Sequence, residues 1–221
     1  LSYNSVNVNG YGAEVLHLGP STGVQEVSIT NSVIDSLNIT ATGASVHAIA
    51  YVLHATAALV APTIRVDNNQ ITGISKLNAG GSTANVLVAF AQFDAAVTTV
   101  QLLSAKNNFV APSISAISSL GAVEVFNVNA LNSITGSAGG TDVLDVSNTD
   151  IHGGFTSTTS YVCVGVVAVA SGQSISSIET TNSAGSLINV AASEGAAFAG
   201  YRGTGSVMVQ CGAATSVTST T

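Results

Sequence analysis

A short motif recurs three times along the chain, and its spacing constrains the fold more than any other feature. Apolar residues two positions apart lead to an asparagine, and another apolar residue follows three positions later. The second copy begins 37 residues after the first, and the third begins 80 residues after the second, close to two further periods. A unit of this size, repeated along a chain, is typical of a solenoid. The copies are Val27-x-Ile29-x-Asn31-x-x-Ile34, Ile64-x-Val66-x-Asn68-x-x-Ile71 and Leu144-x-Val146-x-Asn148-x-x-Ile151.

Each repeat predicts two strands joined by turns. Apolar residues at every second position indicate a strand, and the asparagine that ends it tolerates the left-handed backbone of a tight turn. A second apolar strand closes the unit; its copies are Val86-x-Val88-x-Phe90, Ile49-x-Tyr51-x-Leu53, Val123-x-Val125-x-Asn127 and Val166-x-Ala168-x-Ala170. We therefore predict an all-β chain: one right-handed parallel β-helix over residues 1–221, with about 4–6 coils of roughly 36–40 residues. Residues 215–221, rich in Ser and Thr, are expected to be a frayed tail.

The surface of this protein must be covered by uncharged polar residues. Charged residues make up 7% of the chain, against about a quarter in ordinary globular domains. This composition favours an extracellular or cell-surface protein. The net charge of −7 and the total of four Lys and Arg argue against nucleic acid as a partner, because phosphates require basic residues. The most apolar stretch, residues 46–61, is short for a membrane span and holds two histidines, so we predict no membrane insertion.

Two positions are candidates for covalent modification. Cys163 and Cys211 lie 48 positions apart, slightly more than one repeat, so they are expected to meet between adjacent coils. There they form a disulfide, as in secreted proteins, or remain two buried thiols. Asn38 begins the triplet Asn-Ile-Thr, which is an acceptor sequence for N-glycosylation.

One pair of carboxylates is a candidate for carbohydrate chemistry or weak calcium binding. Asp67 and Asp145 are interpreted as equivalent, outward-facing positions two coils apart. Such residues would lie about 10 Å apart at about 4.8 Å per coil, a separation that suits an inverting glycosidase. Ser104 occupies the intervening coil, and no aromatic residue flanks the row to hold a sugar. A catalytic role is therefore the less favoured interpretation.

Other chemistries find less support in the sequence. The four histidines show no spacing typical of metal ligands, so we predict no metal and no cofactor. Thr-x-Thr triplets occur but do not recur in every repeat, which disfavours an ice-binding surface. The sequence thus predicts a structural or adhesive protein, with a carbohydrate-binding or carbohydrate-active β-helix of the polysaccharide lyase or glycosidase kind as the alternative.

The turn sequences carry a resemblance to a known class. Asn68-Asn69-Gln70-Ile71 and Asn107-Asn108-Phe109, set among strands rich in Ala, Val, Ser and Gly, resemble the turns of right-handed β-helix proteins of the pectin-lyase-like class. Over roughly residues 14–212 the repeat texture is similar to that of the dispersed gene family surface proteins of trypanosomatids. The resemblance implies an extracellular scaffold, adhesin or matrix component. The basic catalytic row of the lyases has no counterpart in this sequence.

Neither end of the chain shows the features that usually cap a solenoid. Helical periodicity and clustered charge are both missing from the first and last segments. Uncapped ends expose strand edges that pair readily with another chain. We therefore expect either end-to-end stacking of copies into a filament, which is a contact that need not close, or continuation in a longer parent chain. Glycans are the other expected partners.

Overall fold

The computed structural model is all-β, and the described part of the chain contains no helix. The structure describes residues 13–21, 23–34, 38–41, 48–71, 76–79, 86–110, 117–119, 123–136, 143–146, 149–151, 154–157, 161–169, 174–175, 178–181, 197–198, 201–204, 210–213 and 216–218. Nowhere in these ranges is there a helix long and apolar enough to cross a membrane. The strands are β1 (Ala13–Leu18), β2 (Glu26–Thr30), β3 (Val33–Ile34), β4 (Asn38–Ala41), β5 (Ala48–Ala55), β6 (Leu59–Val60), β7 (Thr63–Asp67), β8 (Gln70–Ile71), β9 (Lys76–Ala79), β10 (Val86–Phe93), β11 (Val97–Val100), β12 (Leu102–Ser104), β13 (Phe109–Val110), β14 (Ile117–Ser119), β15 (Val123–Ala130), β16 (Ile134–Gly136), β17 (Val143–Asp145), β18 (Asp150–Ile151), β19 (Gly154–Ser157), β20 (Tyr161–Val169), β21 (Ser174–Ile175), β22 (Ile178–Thr181), β23 (Ala197–Phe198), β24 (Tyr201–Thr204), β25 (Gln210–Ala213) and β26 (Ser216–Thr218).

These strands form five sheets, and from β5 to β22 the chain visits the sheets in a fixed order. Sheet 1 is β1-β5-β10-β15-β20-β25, sheet 2 is β6-β11-β16-β21-β23 and sheet 3 is β2-β7-β12-β17-β22-β24. Sheet 4 is β3-β8-β13-β18, and sheet 5 is β4-β9-β14-β19-β26. From β2 to β17 each strand pairs in parallel with the strand five places later. Parallel neighbours need a long crossover, and here the crossover is the remainder of one repeat.

The register shows that the repeat varies in length, less along sheet 1 than along sheet 3. Along sheet 1 the offset is 38 residues between Ala48 and Val86, 37 between Val86 and Val123, and 39 between Val123 and Val162. In sheet 3 the offset is 41 residues between Leu103 and Leu144 and 34 between Leu144 and Ile178, so the turns between parallel strands absorb changes of several residues.

The predicted opening strands are confirmed, and the predicted closing strands are partly out of register. Val27 pairs with Ile64 in sheet 3, as the motif requires. In sheet 1, however, Ile49 lies opposite Leu87 rather than Val86, and Val162 continues the row of Val86 where the fixed offset had placed Val166. A slip of one residue exchanges the two faces of a strand, so a fixed period fails where the turns change length.

The asparagine turns at the ends of β2 and β7 have the predicted backbone. Asn31 and Asn68 both have φ of 56°, and Asn107 in the next repeat has φ of 53°. Side chains other than glycine rarely adopt this left-handed region, and asparagine is among the few that tolerate it. The turn also continues the parallel pairing, because the Asn68 amide donates to the Lys106 carbonyl at 2.9 Å.

Behind these turns, buried amides connect successive repeats. Asn69 and Asn108 are fully buried. The Asn69 amide nitrogen donates to the Ile29 carbonyl at 3.0 Å, and its side-chain oxygen accepts from the Ser32 backbone at 2.9 Å. Asn108 repeats the arrangement one repeat later, with donation to the Val66 carbonyl at 2.7 Å and acceptance from the Asn69 backbone at 2.9 Å.

The same network extends to a third layer. Asn108 donates to the Asn127 side-chain oxygen at 2.9 Å, and Asn127 donates to the Thr149 hydroxyl at 2.8 Å and to the Ala105 carbonyl at 2.6 Å. We call Asn69, Asn108, Asn127 and Thr149 the asparagine ladder. Because an unpaired polar group in the interior is costly, each member depends on the repeats beside it.

The apolar core lies inside the repeats. Its largest fully buried side chains are Phe90, Phe93, Ile34, Leu53, Leu59, Ile64 and Ile71. In the long strands of sheet 1 the alternation of core and outer residues breaks once, since Val52 and Leu53, and likewise Phe90 and Ala91, are consecutive members of the core. On either side of this break, outer residues are three positions apart instead of two.

The last two strands are antiparallel to the strands that they pair with. β25 is antiparallel to β20, with Cys211 opposite Cys163, and β26 is antiparallel to β19. They lie along strands that have their other neighbour in the preceding repeat, so the backbone groups of those strands are paired on both sides. β26 falls within residues 215–221, the stretch predicted to be frayed.

Candidate functional site

Four ionisable side chains converge on the outer side of sheet 1. Glu14 and His17 come from β1, His54 from β5, and Asp94 follows the end of β10. Glu14 lies between the two rings, with its carboxylate oxygens 2.7 Å from His17 Nδ1 and 2.8 Å from His54 Nδ1. The other nitrogen of His54, Nε2, is 2.9 Å from Asp94 Oδ2. We call these four residues the histidine cluster.

Register and the break in alternation together assemble the cluster. His17 lies directly opposite His54, 37 residues later. Glu14 and His17 are three positions apart and would occupy opposite faces of a regular strand. They share a face because Val15 and Leu16, between them, both pack against the core.

Two side-chain amides extend the cluster beyond Asp94: Gln92 bonds Asp94 directly, and Asn129 of the next repeat bonds Gln92. Gln92 lies beside His54 in the register and donates to Asp94 Oδ1 at 2.8 Å. Asn129, beside Gln92 on β15, donates to the Gln92 side-chain oxygen at 2.9 Å. His54 of β5, Gln92 and Asp94 at the end of β10, and Asn129 of β15 thus form a continuous hydrogen-bonded row across three repeats.

The electrostatics of the cluster favour a protonated His54. Burial, the largest influence, lowers the pKa of His54, but the hydrogen bonds to Asp94 and Glu14 and their negative charges outweigh it and raise the pKa above its usual value. Burial also works to raise the pKa of Asp94, and the bonds from His54 and Gln92 together with the charges of the histidines hold it lower than usual. His54 thus lies between two carboxylates, whose hydrogen bonds and charges favour its protonated form.

Aromatic contacts fix the orientation of the rings. The His17 and His54 rings meet edge to face, with centroids 5.1 Å apart, and the Tyr51 ring meets His54 with centroids 4.8 Å apart. Burial, followed by the charges of Asp94, Glu124 and Glu14, raises the pKa of Tyr51 far above its usual value. Tyr51 thus remains a neutral phenol whose ring packs against one side of His54.

Asp67, a candidate from the sequence, is placed differently from the prediction. It is 5% exposed rather than outward-facing. Its Oδ1 accepts from the Ser104 hydroxyl at 2.7 Å and from the Lys106 backbone at 3.0 Å. Val66 and Asp67 are consecutive buried residues at the end of β7, where the left-handed Asn68 turns the chain. The Asp67 carboxylate therefore stabilises a turn and offers no open ligand or catalytic position.

Asp67 and Asp145 do not form a row, and the predicted equivalence was wrong. In sheet 3 Asp145 lies opposite Ser104, and Ser104 lies opposite Arg65. Asp67 pairs instead with Thr30. Asp145 is thus two positions out of line with Asp67, and the carboxylate pair expected for sugar chemistry is not assembled.

The remaining sequence candidates are located by the strand pairing. Cys163 and Cys211 are direct cross-strand partners, as described above. Asn38 is the first residue of β4 and lies opposite Lys76 in sheet 5. Both the disulfide and the glycosylation of Asn38 stay predictions.

The histidine cluster was missed because spacing was considered only within one strand. His47 and His54 are seven positions apart, and His47 lies outside the described residues. The informative spacing is the 37 residues from His17 to His54, which equals the repeat found in the apolar motif. Testing polar residues against the repeat length would have paired these two histidines.

Comparison of this chain with known protein families, with curated proteins and with solved structures finds no match.

Proposed function

We propose that this chain is a right-handed parallel β-helix that serves as an extracellular structural or adhesive scaffold, as a filament subunit or as a segment of a larger surface protein. The observation that carries the proposal is the parallel pairing of strands 37–39 residues apart in sheet 1, together with the same cyclic visiting of the other sheets. A solenoid of this kind gains stability from each neighbouring pair of repeats, which suits an extended scaffold.

The interior supports a rigid role rather than a catalytic one. The described core is closed by large apolar side chains and by the asparagine ladder, whose amides bond backbone carbonyls of the neighbouring repeats. A fully satisfied buried network of this type fixes one register and rigidifies the structure. The carboxylate that was the best candidate for sugar chemistry, Asp67, is buried and bonded, so the structural function is the better supported of the two.

An extracellular location is supported by the composition and by the position of the cysteines. Residues directly opposite in an antiparallel pair have Cα atoms about 4.5–5.5 Å apart, which is within the range that a disulfide spans. A bond between Cys163 and Cys211, which pair in this way, would add about 4 kcal/mol on the chain-entropy estimate.

Peptide mapping without reduction tests this bond. Protein isolated from its natural location, alkylated before digestion, should yield one linked peptide containing both cysteines. Reduction should lower the urea midpoint of wild type and leave that of Cys163→Ser unchanged. Alkylation of both thiols in freshly isolated protein would contradict an oxidising location.

Assembly end to end is supported by the unpaired sides of the first strands. Within the described residues, β1, β2 and β4 each pair with a strand on one side only. Backbone donors and acceptors along such edges pair readily with another chain. A second copy stacked head to tail would place its β24 beside β2 and continue sheet 3 in parallel, which favours ordered stacking over random aggregation.

Electron microscopy and a carbohydrate screen distinguish the scaffold function from the carbohydrate-active alternative. Circular dichroism should show strand and almost no helix, and electron microscopy of concentrated native protein should show filaments or a longer parent particle. A particle that stays strictly monomeric at high concentration, with both ends covered by its own loops, would overturn the filament proposal. Turnover in a reducing-sugar assay would replace the scaffold with a carbohydrate-active function, and binding on a glycan array without turnover would support adhesion.

A further inference from the structure

Three metal-ligating side chains of the histidine cluster lie close enough to share one ion. One donor atom each from Glu14, His17 and His54 lies within 4.8 Å of the other two. In a tetrahedral zinc site with bonds of about 2.0–2.2 Å, neighbouring donors are about 3.3 Å apart. Shifts of about an ångström therefore bring the three onto one centre. We propose that Glu14, His17 and His54 bind a divalent transition metal ion, with Zn²⁺ as the best fit, independently of the scaffold function.

The second nitrogen of each histidine ring, Nε2, already has a hydrogen-bond partner. Metal-binding histidines almost always donate their second N–H to a carboxylate, carbonyl or other acceptor, which fixes the ring and its tautomer. His54 Nε2 is 2.9 Å from Asp94 Oδ2. His17 Nε2 is 3.3 Å from the Thr56 hydroxyl, which also lies 3.2 Å from the Leu18 carbonyl.

This arrangement selects one tautomer for both rings. If Thr56 donates to Leu18, its oxygen accepts from the Nε2–H of His17, just as Asp94 accepts from the Nε2–H of His54. Both rings then offer the lone pair of Nδ1 to the side where Glu14 lies. A metal ion would accept these two lone pairs and a Glu14 oxygen, and any proton held between Glu14 and a ring nitrogen would pass to solvent on binding.

The donor set and its exposure narrow the choice of ion. Two imidazoles and one carboxylate suit zinc and its neighbours, whereas Ca²⁺ and Mg²⁺ prefer all-oxygen sites. The side chain of His17 is 52% exposed, and those of Glu14 and His54 are 22% and 13% exposed. Three protein ligands at a partly open surface leave one position for water. Because the ligands come from β1 and β5, the ion would bind the folded first two repeats together and stabilise them.

Titration calorimetry of chelator-stripped protein with ZnCl₂ tests the site. We expect one ion per chain, and Co²⁺ should give visible absorption bands of a four-coordinate site. His17→Gln removes the most exposed ligand and should abolish the Co²⁺ bands and reduce zinc affinity by more than the roughly 10–100-fold typical of losing an outer partner. Millimolar Mg²⁺ or Ca²⁺ should not compete.

Two further variants keep the test decisive. Asp94→Asn, which alters a positioning residue, should weaken zinc binding by about 10–100-fold while the Co²⁺ bands persist. Glu26→Gln changes an exposed carboxylate of β2 outside the cluster and should bind zinc as wild type does. Absence of binding to wild type, or equal affinity in wild type and His17→Gln, would overturn the proposal.

Discussion

The asparagine ladder and the histidine cluster are both stacks of polar side chains set by the same repeat, but they obey opposite rules. The ladder is buried and neutral, and it bonds a backbone carbonyl of the preceding repeat in three successive layers, through Asn69, Asn108 and then Asn127 with Thr149. The cluster is charged, partly exposed and concentrated where β1, β5 and β10 meet. Where similar polar residues occupy the same place in successive repeats, they stabilise the fold, because each repeat has a backbone group there that needs a partner. Where the residue type changes from one repeat to the next, the side chains can form a local binding site instead.

The largest effect is expected inside the ladder. Asn108→Ala leaves the Asn69 amide, the Val66 carbonyl and the Asn127 side-chain oxygen without a buried partner. At about 1–3 kcal/mol for each unsatisfied group, we expect the free energy of unfolding to fall by about 3–5 kcal/mol, measured by urea denaturation. The neighbouring exposed variant Asn107→Gly, at φ of 53°, should change it by less than about 0.5 kcal/mol.

A small loss of unfolding free energy in Asn108→Ala would contradict the structural role that the comparison gives to the asparagine ladder. If the variant lost less than about 1 kcal/mol, buried water or a shift of the backbone would have to satisfy the three groups, since such groups are otherwise costly. The ladder would then be a consequence of the fold and not one of its causes.

A middle-sized effect is expected at the left-handed turn beside the ladder. Asn68 has φ of 56°, a conformation that costs most residues roughly 1–2 kcal/mol. Asn68→Ala should therefore unfold at lower urea concentration than Asn68→Gly by about that free energy. Both variants lose the exposed bond from Asn107 to the Asn68 side chain, so the difference between them isolates the backbone. Equal stability of the two would show that the turn is not strained.

In chelator-treated protein, the histidine cluster should make the free energy of unfolding depend on pH. A His54 pKa raised above its unfolded value contributes stability below about pH 6.5, and this contribution is lost as pH rises through the folded pKa. An Asp94 pKa held below its unfolded value contributes stability above about pH 3.9, lost as pH falls through the folded pKa. The groups that face His54 are Glu14, Asp94, His17 and the neutral Tyr51.

The metal-free urea midpoint should therefore be highest at about pH 4–6.5. We expect it to decline as pH rises further in wild type and to decline less in His54→Gln. Glu26→Gln should keep the wild-type profile, because that carboxylate pairs with Arg65 outside the cluster. The same decline in wild type and His54→Gln would assign the pH dependence to other groups.

The sequence predicted those parts of the fold that repeat and failed where the repeat is locally broken. Parallel strands, the left-handed turns at Asn31 and Asn68, and the alignment of Val27 with Ile64 follow from residue type and a single period. The orientation of Asp67 did not follow, because strict alternation was assumed through the end of β7, where two consecutive residues are buried.

The candidate site escaped prediction for the same physical reason. Glu14 and His17 share a face only because two core residues lie between them, and this bend depends on packing against neighbouring strands. The carboxylate row was wrong for a simpler reason, because the motif that aligns Leu144 with Ile64 already places Asp145 with Arg65, and the register through Ser104 keeps that alignment. Period and alternation are local signals, whereas convergence of side chains is decided by the tertiary register.

The smallest effect is expected at an isolated ion pair that also joins the first two repeats. Arg65 Nε lies 3.8 Å from Glu26 Oε1, with side chains 40% and 56% exposed. Surface pairs of this kind contribute about 0–1 kcal/mol, because water screens the charges and two long side chains lose freedom. Arg65→Gln should therefore change the free energy of unfolding by less than about 0.5 kcal/mol, and added salt should remove even that difference. A loss greater than about 1 kcal/mol would show that a single exposed pair can join repeats as effectively as the histidine cluster, where four ionisable groups converge and two side-chain amides extend the hydrogen bonding.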